Sequence, residues 1–192
     1  MTTASFPAFR ATCVAAAIAL SACSSAPATS TGDAGSDAAQ PAQDPSTLGD
    51  TQTPATGDDA TISAWLAKGE YKAWTCEPAV HDARSPSPHG KNRICSNTLS
   101  SKHAAGEFPV GAANVKEIYD EAGQKVVGFA IARKVAAGAG DAWYWYEKTG
   151  TSVVANGLGV EGAPMAVCVG CHKGAGSDAK HSGHDLVYTQ VK

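Results

Sequence analysis

The chain has no run of basic residues: its 15 Lys and Arg are scattered among 18 Asp and Glu, for a formal net charge of −3. That excludes the electrostatic footprint of a nucleic-acid-binding surface. Past the N-terminal apolar run there is no stretch long enough to cross a bilayer, which takes about 20 consecutive apolar residues. Between Ser24 and Ala60 large apolar side chains are almost absent, Leu48 being the exception. A segment built from Ala, Ser, Thr, Gly, Asp, Gln and Pro cannot bury a core, so residues 23–60 are expected to form a disordered tether.

What precedes the tether is a single positive charge, Arg10, and an apolar run from Val14 to Leu20. The run is too short to span a membrane and has the layout of a secretory signal over residues 1–22. It ends in Leu20-Ser21-Ala22-Cys23, which resembles the lipobox of bacterial lipoproteins. That resemblance implies lipidation of Cys23 and an exported protein anchored to a bacterial membrane, facing the periplasm or the cell exterior. The competing reading is cleavage at the small residues and a soluble periplasmic product.

Of the six cysteines, Cys13 would leave with the signal and Cys23 would carry lipid. Cys168-Val169-Gly170-Cys171-His172 forms the C-x-x-C-H pattern. In that pattern two thiols add to the vinyl groups of haem and the adjacent imidazole becomes an axial iron ligand. A zinc half-site would want a second ligand pair, and a thioredoxin-type redox pair would want a surrounding βαβ pattern; the sequence supplies neither. One haem c per chain is therefore expected. Cys76 and Cys95 remain, and an oxidising compartment makes them a disulfide, the alternative being two unpaired buried thiols.

The folded part is expected over residues 61–192 as one domain of α+β class, an antiparallel β-sheet with a few flanking helices. Asp59 or Thr61 caps a first helix carrying Ile62, Trp65 and Leu66, with Trp74 continuing its near-helical spacing, and Gly69 weakens it locally. Glu77 to Arg93, with Pro78, Pro86 and Pro88, reads as a loop, and Leu99 to Ala105 as a short helix. Val115–Tyr119 and Val126–Ile131 flank a turn and make a hairpin. Trp143 to Tyr146 reads as a strand with its tryptophans on one face and its tyrosines on the other, followed by a short strand from Ser152 to Val154. Small electron-transfer cytochromes c place the attachment motif early and a distal methionine after it; here the motif is late and no methionine follows His172. The β pattern also excludes the four-helix cytochromes c-prime.

The order of HGKNRICSN from His89 to Asn97, Phe108-Pro109-Val110-Gly111 leading into Val115-Lys116-Glu117, the Trp143 strand, the haem motif and Asp185-Leu186-Val187-Tyr188 resembles the cytochrome P-460 family, which includes the sheet-based cytochromes c-prime-beta. The resemblance implies a high-spin haem with an axial histidine and an open distal site. In the family's enzymes a lysine is cross-linked to the porphyrin edge and hydroxylamine is oxidised, with nitric oxide towards nitrous oxide. Other members bind nitric oxide or carbon monoxide without the cross-link. Carried over, His172 is the iron ligand and Cys168 and Cys171 are the thioether attachments. Lys116 best matches the cross-linking lysine, ahead of Lys134 and Lys102; otherwise it is a solvated strand lysine. Asp141 matches a proton-accepting carboxylate, or else is a turn aspartate. Arg93 would add positive charge on the distal side, or else is a surface arginine.

In the gas-binding alternative, Phe129, Trp143 and Trp145 would limit access to the iron. A six-coordinate electron-transfer cytochrome would need a sixth ligand. His81, His89, His103, His181 and His184 are expected to face solvent, and Met165 lies too close to the motif. The partners implied are hydroxylamine or a small nitrogen oxide, an electron-accepting cytochrome and a membrane reached through lipid, with no nucleic acid and a homodimer left open.

Overall fold

The computed structural model describes residues 53–138, 140–179 and 182–192. The signal, Cys23, most of the tether and His181 lie outside the described residues. None of the described helices is long and apolar enough to cross a membrane.

The domain is a six-stranded antiparallel meander whose spatial order follows the chain. Its strands are β1 (Thr75–Cys76), β2 (Asn92–Ser96), β3 (Ala113–Tyr119), β4 (Val126–Lys134), β5 (Trp143–Thr149) and β6 (Ser152–Leu158). Helices α1 (Asp59–Lys68), α2 (Thr98–Ser101) and α3 (Gly170–His172) flank it. The hairpin expected around the Asp120–Gly123 turn is β3–β4, with Val115 opposite Ile131. Strand β2 lies at the end of the segment read as loop, because Asn92, Arg93 and Ser96 hide its periodicity.

Alternation along each strand gives the sheet two different faces. On one face, α1 buries Ile62, Trp65 and Leu66 against Val115, Ile131 and Tyr146. The helix is capped by Asp58 rather than Asp59 or Thr61, since the Asp58 carboxylate accepts from the Thr61 N–H at 2.8 Å. Gly69 does more than weaken the helix: at φ 71° it is the left-handed residue that ends it. Trp74 reaches the same core from beyond a 3₁₀ turn, Glu70–Ala73, rather than from the helix itself. The folded part also begins before Thr61. Pro54 is buried and its carbonyl accepts from Arg133 at 2.6 Å, while Gly57 is held by Tyr144 and Asn156.

Trp143 and Trp145 lie on the opposite face with Phe108, Ala155, Cys168 and Val187, and Tyr146 lies on the α1 face, as the alternation predicts. The expected disulfide joins Cys76 to Cys95, which pair in register between β1 and β2. It closes the base of the loop from Glu77 to Lys91. A second closure comes from Glu77, whose buried carboxylate accepts from the Ile94 N–H at 2.8 Å, from His81 at 2.8 Å and from Arg84 at 2.6 Å. Burial works to raise the Glu77 carboxyl, but these hydrogen bonds outweigh it and hold it below the ordinary glutamate range.

Candidate functional site

The face opposite α1 carries the site. Cross-strand register places Ile94, Lys116, Ala130, Glu147 and Ala155 in one row across five strands. The neighbouring row runs through Ser96, Asn114, Ala132, Trp145 and Gly157. The middle of this floor is thus alanine, flanked by Lys116 and Glu147 about 10 Å apart at the backbone. Over it come a wide helical turn, Pro164–Val169, and α3, which together hold Cys168, Cys171 and His172, while the loop from Arg84 to His89 and the C-terminal segment close the sides. The cavity so enclosed has about 1220 Å³ of free space, its open mouth included.

His172 is set by three neighbours. Its Nδ1 lies 2.6 Å from the Leu186 carbonyl, which can only accept, so Nδ1 carries the proton and Nε2 keeps its lone pair. The Trp145 ring meets the imidazole at 4.6 Å and the Tyr188 ring at 5.4 Å, both edge-on. Burial, helped by the positive charges of Lys116 and His89, lowers the His172 imidazole to about 4, against the raising effect of the Leu186 hydrogen bond. At neutral pH the imidazole is uncharged. Burial likewise pushes the Cys168 thiol up to about 12.

Lys116 lines the same cavity. Burial lowers its amine to about 8, although the Glu147 and Glu77 carboxylates pull the other way. An amine brought to that range is partly neutral and nucleophilic at physiological pH. Glu147 is mostly buried and lies 3.4 Å from His89 Nδ1. Asn114 is fixed through its Oδ1, which accepts from Ser96 at 2.6 Å and Ser100 at 2.9 Å. Its buried Nδ2 is left with no partner, in a wall of the cavity.

The structure does not bring Arg93 or Asp141 to this place. Arg93 is one residue out of phase with Ile94, so it falls on the α1 face, where its Nε lies 3.4 Å from the buried Glu117 carboxylate. The arginine at the cavity is Arg84 instead. Asp141 is exposed in the short turn before β5 and is absent from the cavity wall. Phe129 likewise packs on Tyr71 of the α1 face, at 6.2 Å.

Lys134 is fully buried and committed to Asp185, and Lys102 is not in the wall. His89, expected in solvent, has a side chain only 12% exposed and lines the cavity. His184 stacks on Phe108 at 4.5 Å rather than facing solvent, His81 is held by Glu77, and Met165 is exposed. Sequence reasoning missed Glu147, although alternation from Trp145 places it on the same face. It missed Asn114 for the same reason, two residues before Lys116.

Among the described residues, no group of three or more His, Cys, Asp or Glu is arranged to hold a metal ion. A metal at His172 would therefore need its remaining ligands from a prosthetic group. The lining fits such a group: an alanine floor for a flat apolar ring, an imidazole whose Nε2 keeps its lone pair, and two thiols in the cavity wall. No family model, curated protein or solved structure matches the chain.

Proposed function

We propose that the cavity holds one covalently attached haem c and that the protein is an exported haem enzyme oxidising hydroxylamine, with nitric oxide, towards nitrous oxide. The observation that carries this reading is the convergence of Lys116, Glu147, Cys168, Cys171 and His172 on one cavity. Cys168 and Cys171 would form the thioethers and His172 Nε2 would ligate the iron. The bound haem would supply an open coordination position for the substrate nitrogen and a path for its electrons to an external acceptor such as a cytochrome.

The chain's own residues supply the rest. Lys116, with its amine depressed by burial, is the side chain placed to be joined to the porphyrin edge, an exchange of a ring C–H bond for C–N that would release two protons and pass two electrons to an external oxidant. Glu147 is the carboxylate placed to accept protons as electrons leave, taking the role that Asp141 was expected to hold, and His89 beside it can pass them outward. The signal and the Cys23 lipid anchor would place this chemistry on the outer side of a bacterial membrane.

The visible spectrum of the dithionite-reduced holoprotein tests the proposal. A broad, strongly red-shifted Soret band, lost in Lys116→Ala, is the expected result. An ordinary five-coordinate spectrum would make the protein a binder of nitric oxide or carbon monoxide. Sharp low-spin bands would mean that His89 occupies the sixth position and that electron transfer is the function, while a chain without covalent haem would overturn the reading of the cavity.

A further inference from the structure

Asp185 and Leu186 are the non-glycine residues with positive φ among those described, at 42° and 66°. A leucine rarely adopts that conformation, and its persistence means that the surroundings over-determine it. The turn is tight as well as strained. His184 and Val187 exchange backbone hydrogen bonds of 3.1 and 2.8 Å, and a side chain on Gly183 would strike the Val187 carbonyl.

What holds the turn is the Asp185 carboxylate. Its Oδ2 accepts from the Phe108 N–H at 2.8 Å and from Lys134 Nζ at 3.0 Å, and its Oδ1 from Trp143 Nε1 at 3.4 Å. Lys134 has no exposed side-chain surface; it also meets Gly138 O and Glu107, and lies 5.2 Å over the Trp143 ring. A charge buried to that degree is held only with its counter-charge in place, so Lys134 and Asp185 fix each other. What the turn delivers is the Leu186 carbonyl on His172 Nδ1. A staple for the C-terminal segment could be made by a relaxed turn; this one keeps a leucine in the left-handed region at the residue whose carbonyl orients the imidazole.

We propose that the buried Lys134–Asp185 pair is a positioning device: it clamps the 184–187 turn in its strained form and so fixes the Leu186 carbonyl on His172 Nδ1, setting the direction and electron donation of Nε2 towards the iron of a bound haem. The inference rests on the haem reading of the cavity. Neither residue touches the substrate; both act through the turn. A polar partner on the far nitrogen of a ligating histidine fixes its orientation and raises its basicity.

The test is resonance Raman spectroscopy of the reduced holoprotein, reading the iron–histidine stretching band, with circular dichroism to confirm folding. The double variant Lys134→Met/Asp185→Asn removes the pair without leaving an unpaired buried charge. It should fold and shift the band to lower frequency with broadening, whereas Lys148→Met, which breaks the ion pair with Asp59 on the other face, should leave the band in place. An unmoved band in the folded double variant overturns the inference. Should the double variant not fold, Asp185→Asn alone, which keeps the side chain's shape and leaves Lys134 its Glu107 counter-charge, should give a smaller shift in the same direction, and an unmoved band there overturns it equally. A wild-type chain carrying no covalent haem would instead sink the reading of the cavity itself.

Discussion

Replacing both cysteines of the Cys76–Cys95 disulfide by serine separates two roles of the loop that this bond closes. The bond links residues 19 apart in sequence. On the loop-entropy account, a closure of that length removes freedom from the unfolded chain worth about 3 kcal/mol. For a domain of this size the corresponding fall in Tm is about 10 °C. In the folded state the variant keeps the two-residue β1–β2 ladder and the hydrogen bonds of Glu77 to Ile94, His81 and Arg84. The loop's far end, with Arg84, Ser85, Pro86, Ser87, Pro88 and His89 in the cavity wall, should therefore stay in place. Urea unfolding followed by tryptophan fluorescence should show the midpoint falling, and the visible spectrum of the holoprotein at zero denaturant should be unchanged. A loss under about 1 kcal/mol would refute the entropic argument and mean that the Glu77 contacts already restrain the unfolded loop. A changed spectrum would refute the claim that Glu77 holds the loop by itself.

Two further outcomes follow from the cavity. In protein lacking the cross-link, the Lys116 amine, lowered to about 8 from the ordinary lysine value of 10.5, should be acylated as pH rises through 8, well before the exposed lysines, as read by peptide mass spectrometry. Because its folded value is the lower one, the unfolded chain binds more protons between about pH 8 and 10.5; stability should rise with pH across that window, and Lys116→Met should abolish the rise. Glu147→Gln should lower hydroxylamine turnover by about 10²-fold or more, the usual worth of a positioned proton acceptor, while ligand binding to the reduced haem persists. Asp141→Ala, exposed and off the cavity wall, should turn over as the wild type does; the opposite ranking of the two variants would return the role to Asp141.

Period and turn chemistry carried most of the fold in the sequence. The β3–β4 hairpin and the two faces of β5 are direct consequences of side chains alternating about a pleated backbone, and both are present as read. The disulfide was legible from the expected compartment and the cysteine count alone. What escaped was whatever depends on which residue faces which. Arg93 and Lys116 lie on neighbouring strands, but register sets Arg93 opposite Glu117 and Ile94 opposite Lys116, and a one-residue offset sends the arginine to the other side of the sheet. Asp141 was placed by its nearness to Trp143 in sequence, yet the strand starts after it, so the alternation that carries Trp143 and Trp145 to the site also carries Glu147 and leaves Asp141 in the turn. Lys134 and Asp185 are 51 residues apart and meet only because the chain's last segment folds back over the end of β4. No local period announces such a pair. The sequence does hold a weaker signal for it: a lysine closing the Gly128, Ala130, Ala132 face of its strand and an acid among the last apolar residues are each costly to bury alone, and each becomes tolerable where the other can reach it.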